Sequence, residues 1–208
     1  MLKVCYLDTE TGSLNVYKCA LLQLGYIIEI DGDEIAKECV NIAPIEGDEI
    51  KDDALKVNGF KRAELEKFTN PAKAYHNFLA LLDSRVDKFA KTDKMFLIGY
   101  NVMSFDQLVM DSFFKKHKNK YFGSYFWRPP IDVMALAAID LALVRYTMEK
   151  FSLDEVAKVY KVKLEGEHGF HNALYDVEIT RAIFKKLVAK YSIAPFMQTE
   201  EDEPLSED

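Results

Sequence analysis

Four acids and one histidine stand out for where they fall along the chain. Asp8 and Glu10 lie two apart at the end of the apolar run VCYLD at 4–8, which reads as a strand. Strand alternation sends both side chains to one face, beside Tyr6. Two like charges so placed repel unless a cation sits between them, although an exposed turn would tolerate them too. Asp106 has Val109, Met110 and Phe113 at three, four and seven positions on, so in a helix it falls on the apolar stripe. Asp176 does the same, with Ala173 behind it and Thr180, Ile183 and Leu187 ahead. An isolated buried carboxylate is costly and becomes neutral, paired or metal-bound. Either acid alone could be a satisfied helix-start residue; two of them beside the Asp8–Glu10 pair favour a metal.

Four carboxylates without a Cys/His quartet make a hard, oxygen-rich site, suited to Mg²⁺ or Mn²⁺ rather than to structural zinc. Two such ions about 3.5–4 Å apart activate a water, hold a phosphate and neutralise a leaving oxygen. A base must still accept the water's proton. His171, five residues before Asp176 at a helix start, has the right chemistry near neutral pH. A lone histidine there is ordinarily a surface residue, and its neighbours are what single it out.

These residues need elements to position them. Val4–Asp8, Ala20–Ile30 and Glu34–Ile42 read as strands, the last two joined by the Asp31-Gly32-Asp33 turn, so the chain opens as an antiparallel meander. Helical signals follow from Lys51, with Pro71–Lys88 the clearest amphipathic stretch. Lys94–Gly99 reads as a strand, Ser104–Lys118 as a helix, and Ile131 as the start of a short strand or a helix entry, with helix on to Leu143. Ser152 and Glu155 have capping-box spacing, and a last helix spans Asn172–Tyr191. Strands first and alternation afterwards predict an α/β fold with a mixed sheet covered by helices.

The 208 residues suit one domain, and 49% of them are apolar, enough for a core. No apolar run is long enough for a membrane span, and the start lacks signal-peptide character, so the reading is an intracellular, cytoplasmic protein with no membrane partner. Cys5, Cys19 and Cys39 have no paired metal-ligand spacing and read as reduced thiols. Of the net charge of −7, six negative charges sit in the last ten residues, TEEDEPLSED. The rest is near neutral, compatible with a polyanion in a restricted groove. Lys115, Lys116, His117, Lys118 and Lys120 form a basic run, more simply read as a solvated helix face. Asp132 reads as a cap for the helix that follows it, or as a partner to the acidic site.

The three segments DTETGSL at 8–14, GYNVMSFD at 99–106 and HNALYD at 171–176 resemble, in order and spacing, the exonuclease motifs of the DnaQ-like DEDD superfamily. His171 and Asp176 satisfy the His-x-x-x-x-Asp pattern of its histidine (DEDDh) branch. SLDEVAKVYKVKLEG and DALKVNGF also look family-like, so the resemblance covers most of the chain. It implies an RNase H-like fold with a mixed five-stranded sheet and an exonuclease domain over 1–193; the acidic tail over 194–208 falls outside it and reads from its composition as disordered. Asp8 would be shared by two ions, Glu10 and Asp176 would hold the ion beside the attacking water, Asp106 would serve the second, and His171 would be the general base. Thr11, Leu14, Asn101 and Phe105 would bind substrate, Leu14 as a wedge at the terminal base. Leu14 and Phe105 could equally be core residues. The first motif's Thr11-Gly12-Ser13 departs from the usual loop, and three residues separate Asn101 from Phe105, similar to the exonuclease I branch.

The resemblance therefore implies a two-metal 3′-to-5′ exonuclease acting on a single-stranded 3′ end, DNA ahead of RNA. A 3′-to-5′ exoribonuclease and a non-catalytic nucleic-acid-binding module on the same fold are the alternatives. The acidic tail offers a contact for a polymerase or another basic protein.

Overall fold

The computed structural model describes residues 1–162 and 171–197. Five strands form one sheet: β1 (Lys3–Thr11), β2 (Leu21–Ile30), β3 (Asp33–Asn41), β4 (Phe96–Gly99) and β5 (Ile131–Asp132), in the order β3-β2-β1-β4-β5. β1, β2 and β3 are antiparallel neighbours, while β4 runs parallel to β1 and β5 parallel to β4. The meander and mixed sheet expected from the sequence are both present.

Strand alternation divides the core between the two faces of the sheet. On one face Cys5, Leu7, Leu24, Tyr26 and Ile28 pack against α2 (Pro71–Asp83) and α3 (Asp106–Lys116), through Phe78, Leu82, Val109, Met110 and Phe113. On the other, Val4, Tyr6 and Ile27 pack against α4 (Val133–Asp140), α5 (Leu153–Tyr160) and α6 (Ala173–Tyr191), through Val133, Val156, Ile183 and Leu187. The short α1 (Asp52–Asn58) follows the meander, with its Leu55 in a small satellite core beside Leu22.

Several boundaries differ from expectation. β1 continues through Thr11 because β2 pairs with it as far as Leu21, with a bulge between Glu10 and Thr11. Asp8 and Glu10 therefore lie inside the strand. α2 stops at Asp83, where Ser84 closes it by donating its hydroxyl to the Leu81 carbonyl. α4 stops at Asp140, short of Leu143. Ser152 sits at the N-cap of α5 without a capping bond, and its hydroxyl instead binds the Asp154 carboxylate.

The basic run is largely committed to the body: Lys115 pairs with Asp111, Lys116 with Asp48, and His117 stacks on Tyr75 at 4.5 Å. Ala194–Phe196 form a 3₁₀ turn whose Phe196 ring meets Phe96 and Phe184 at 5.2 and 5.3 Å. The chain is thus still packed where the tail was expected to begin. The rest of the expected tail, 198–208, and the end of the stretch before the third motif, 163–170, lie outside the described residues. No described helix is long and apolar enough to cross a membrane.

Candidate active site

β1 carries Val4, Tyr6, Asp8 and Glu10 on the face covered by α6. The apolar first half of that row packs into the core, and the acidic second half faces the N-terminus of α6. Asp176 lies in the first turn of α6 and Asp106 is the first residue of α3. Both helices therefore turn their positive ends toward the cluster, which favours negative charge there.

Asp106 is 3% exposed, and its Oδ1 accepts from the Thr9 amide at 2.9 Å and the Thr9 hydroxyl at 2.7 Å. Thr9 points to the opposite face of β1 from Asp8, so one strand supplies both a ligand candidate and a clamp for another. Asp176 is 8% exposed; its Oδ2 accepts from the His171 amide at 3.1 Å. Its Oδ1 is buried with no hydrogen-bond partner among the described residues. His171 is exposed, with a left-handed φ of 68° that is uncommon for a side-chain-bearing residue and recurs at functional sites. Glu10, His171 and Asp176 each present a ligand atom, all within 4.8 Å of one another.

The electrostatics follow from crowding acids where water is scarce. Burial first, then Asp106, Asp176 and Glu10, holds the Asp8 carboxyl well above the usual range. Burial, then Asp176 and Asp106, pushes Glu10 up to about 8. Burial raises Asp176 to about 7, against the opposing pull of the His171 amide, with Asp154 and Asp106 adding to the rise. Burial raises Asp106 to about 6, although the Thr9 hydrogen bonds work against it. A divalent cation among them would offset all four shifts by favouring the charged carboxylates. The all-oxygen donor set and the orphaned Asp176 Oδ1 fit Mg²⁺ or Mn²⁺.

The structure thus brings Asp8, Glu10, Asp106, Asp176 and His171 together. Around them, Leu14 is 87% exposed in the loop after β1. Asn101 is exposed with φ 60°, and Phe105 is half-buried at the N-cap of α3. Thr11 is different: it is buried, and its hydroxyl donates to the Ser13 carbonyl at 2.9 Å while its own carbonyl accepts from Asn58 Nδ2 at 3.0 Å. That hydroxyl bond shapes the loop after β1. Asp132 is the helix cap, and its other hydrogen bonds go to the loop of the second motif. Its Oδ1 caps α4 through the Met134 amide at 3.0 Å and also accepts from the Asn101 amide at 2.9 Å, while Oδ2 accepts from Met103 at 3.3 Å. It pins the second motif's loop. Thr9 and Asn58 were not singled out from the sequence; their roles depend on which distant segments they face.

Acids from a mixed sheet and from two helix N-termini thus converge on one point. The exonuclease model of the RNase T family matches residues 5–184, and the chain belongs to that family. It carries an exonuclease domain. A comparison with curated protein sequences returned no match. Among solved structures, the chain is similar to E. coli exonuclease I in complex with a dT13 oligonucleotide, with TM-score 0.74, 17% identity and coverage of 93% of this chain and 42% of that one. It is also similar to the zinc-ion-bound form of the E. coli exonuclease I–single-stranded DNA complex (TM-score 0.72, 19%, coverage 94% and 42%). A third is E. coli exonuclease I with a dA16 oligonucleotide (TM-score 0.70, 19%, coverage 91% and 41%). The chain spans about two fifths of the length of these proteins.

Proposed function

We propose that this chain is a metal-dependent 3′-to-5′ exonuclease that releases nucleoside monophosphates from a single-stranded 3′ end, DNA in preference to RNA. The observation that carries this reading is the convergence of four crowded carboxylates, one of them Asp176 with its orphaned Oδ1, with an exposed imidazole in reach. In it, Asp8, Glu10 and Asp176 would hold one Mg²⁺ or Mn²⁺ ion and Asp8 and Asp106 would hold a second. When bound, the ions supply charge neutralisation at the scissile phosphate and a nucleophile at neutral pH.

The remaining work falls to the chain. His171 accepts the proton of the attacking water at its imidazole nitrogen, and its exposure leaves that nitrogen open to the substrate side. Thr9 holds Asp106 in one rotamer, which keeps its free oxygen directed at the site. Leu14 stands against the terminal base. Asn101 and Phe105, on the loop pinned by Asp132, line the other wall. The oligonucleotide-bound forms of exonuclease I support single-stranded DNA as the substrate class.

The test uses 5′-labelled DNA and RNA oligonucleotides, single- and double-stranded, with Mg²⁺, Mn²⁺ or EDTA. The expected result is a ladder shortening from the 3′ end of single-stranded DNA that EDTA abolishes. A ladder on RNA alone would make the protein an exoribonuclease. Binding without cleavage would make it a non-catalytic module, and cleavage that survives EDTA would overturn the metal mechanism.

A further inference from the structure

Strand β2 gives no carboxylate to the cluster, yet it lies directly beside it. In the β1–β2 pairing Asp8 is opposite Gly25 and Glu10 is opposite Gln23. Paired residues of an antiparallel ladder share a face, so Gln23 and Gly25 stand on the side where the carboxylates meet α6. Both touch the same stretch of backbone. The Ala173 amide, at the first position of α6, donates to Gln23 Oε1 at 2.7 Å. Gln23 is 4% exposed and is held from behind by donating through Nε2 to Asn41 Oδ1 at 2.7 Å. Gly25 leaves the space that the helix start occupies: a Cβ there would fall 2.4 Å from the Ala173 carbonyl carbon and 2.6 Å from the Leu174 nitrogen. The Leu174 amide in turn hydrogen-bonds the thiol of Cys39, which pairs with Gly25 from β3. Backbone amides that most helix starts leave to water or to a local cap are here bonded to the sheet.

We infer that Gln23 and Gly25 are positioning residues of the metal site, fixing the depth at which α6 docks and with it the distance of Asp176 and His171 from Asp8 and Glu10. The inference rests on the metal reading of the carboxylates given above. Gln23 pulls the first turn in, and Gly25 permits the approach. Any side chain at position 25 would have to push the Ala173 backbone out by about 1 Å to reach ordinary contact, and a 1 Å misplacement at reacting groups costs about 10²-fold in rate. Leu14, Asn101 and Phe105 lie on segments other than α6.

The test compares Gln23→Ala, Gly25→Ala and a matched control on the opposite face of the same strand. The control is Tyr26→Phe, which removes a 2.7 Å hydrogen bond to Glu38 and leaves the dock untouched. Thermal melts establish folding, and Mn²⁺ affinity is read by the EPR signal of free Mn²⁺ without nucleic acid. Both dock variants should bind Mn²⁺ at least about tenfold more weakly, the scale at which groups supporting metal ligands act. Their kcat should fall while KM for a single-stranded oligonucleotide changes little, and excess Mn²⁺ should restore part of the rate. Tyr26→Phe should match the wild type in all three. If Gly25→Ala fails to fold, Gln23→Ala decides the matter. Wild-type Mn²⁺ affinity in the folded dock variants overturns the inference, as does equal weakening in Tyr26→Phe or a wild type that binds no Mn²⁺. A wild type that binds Mn²⁺ as expected but cleaves nothing would end the exonuclease reading while leaving this one intact.

Discussion

Raising the pH on the metal-free protein should destabilise it, and divalent metal should cancel the effect. A carboxyl group whose folded-state pKa lies above its unfolded value holds its proton more tightly in the fold. It therefore contributes stability fully below about pH 4, and that stability is lost as pH rises through the folded value. Asp106 moves from 3.8 to about 6, Asp176 from 3.8 to about 7 and Glu10 from 4.5 to about 8, so the loss should run from about pH 4 to pH 8. At about 1.4 kcal/mol per pH unit the largest single contribution, that of Glu10, is on the order of 5 kcal/mol. The repulsion between two acids is shared by both, so the cluster's total is of that order rather than the sum. For a chain of this size about 5 kcal/mol corresponds to a fall in Tm on the order of 10–20 °C. The assay is thermal unfolding by circular dichroism from pH 5 to 8.5, in EDTA and in saturating Mg²⁺, for the wild type and Asp8→Asn. The wild type in EDTA should lose Tm with rising pH, Mg²⁺ should flatten the dependence, and Asp8→Asn should melt higher than the wild type at pH 8 without metal. A metal-free Tm that is flat or rising over this window, or equal in the two proteins, would refute the reasoning.

Other outcomes follow from the same geometry. Asp8→Ala should abolish cleavage with the fold retained, and more than a few per cent of the wild-type rate in the ladder assay would remove Asp8 from its shared position. His171→Ala should lose about 10²- to 10⁴-fold in single-turnover rate with half-saturating Mg²⁺ almost unchanged, as expected for a positioned base; equal rates would make it a bystander. Thr9→Val keeps the amide bond to Asp106 but removes the hydroxyl bond, worth about 1–3 kcal/mol to a charged acceptor, so Mg²⁺ titrations should shift to higher concentration at similar KM. Ending the chain after Ile193 removes the Phe196 ring from between Phe96 and Phe184 and should lower Tm by several degrees relative to a chain ending after Met197.

What could be read from the sequence is what local periodicity encodes. Asp106 and Asp176 were identifiable because their three-, four- and seven-residue neighbours are apolar, and both prove buried. Asp8 and Glu10 followed from strand alternation, and the meander from its Asp31-Gly32-Asp33 turn. Where β1 ends did not follow, because its last residues are strand only through pairing with β2. The same holds for Thr9, Gln23 and Gly25: a threonine, glutamine or glycine becomes specific only once the register sets it against Asp106 or Ala173. Asp132 was ambiguous in sequence because one carboxylate serves both the helix that follows it and a loop some thirty residues earlier.

The central claim is that these four acids hold two ions side by side. Crystals soaked in Mn²⁺ and measured for anomalous scattering test it most directly. The account predicts two peaks about 4 Å apart, one among Asp8, Glu10 and Asp176 and one between Asp8 and Asp106. No peak within coordination distance of Asp8, or a single peak that engages neither Asp8 nor Asp106, would contradict it.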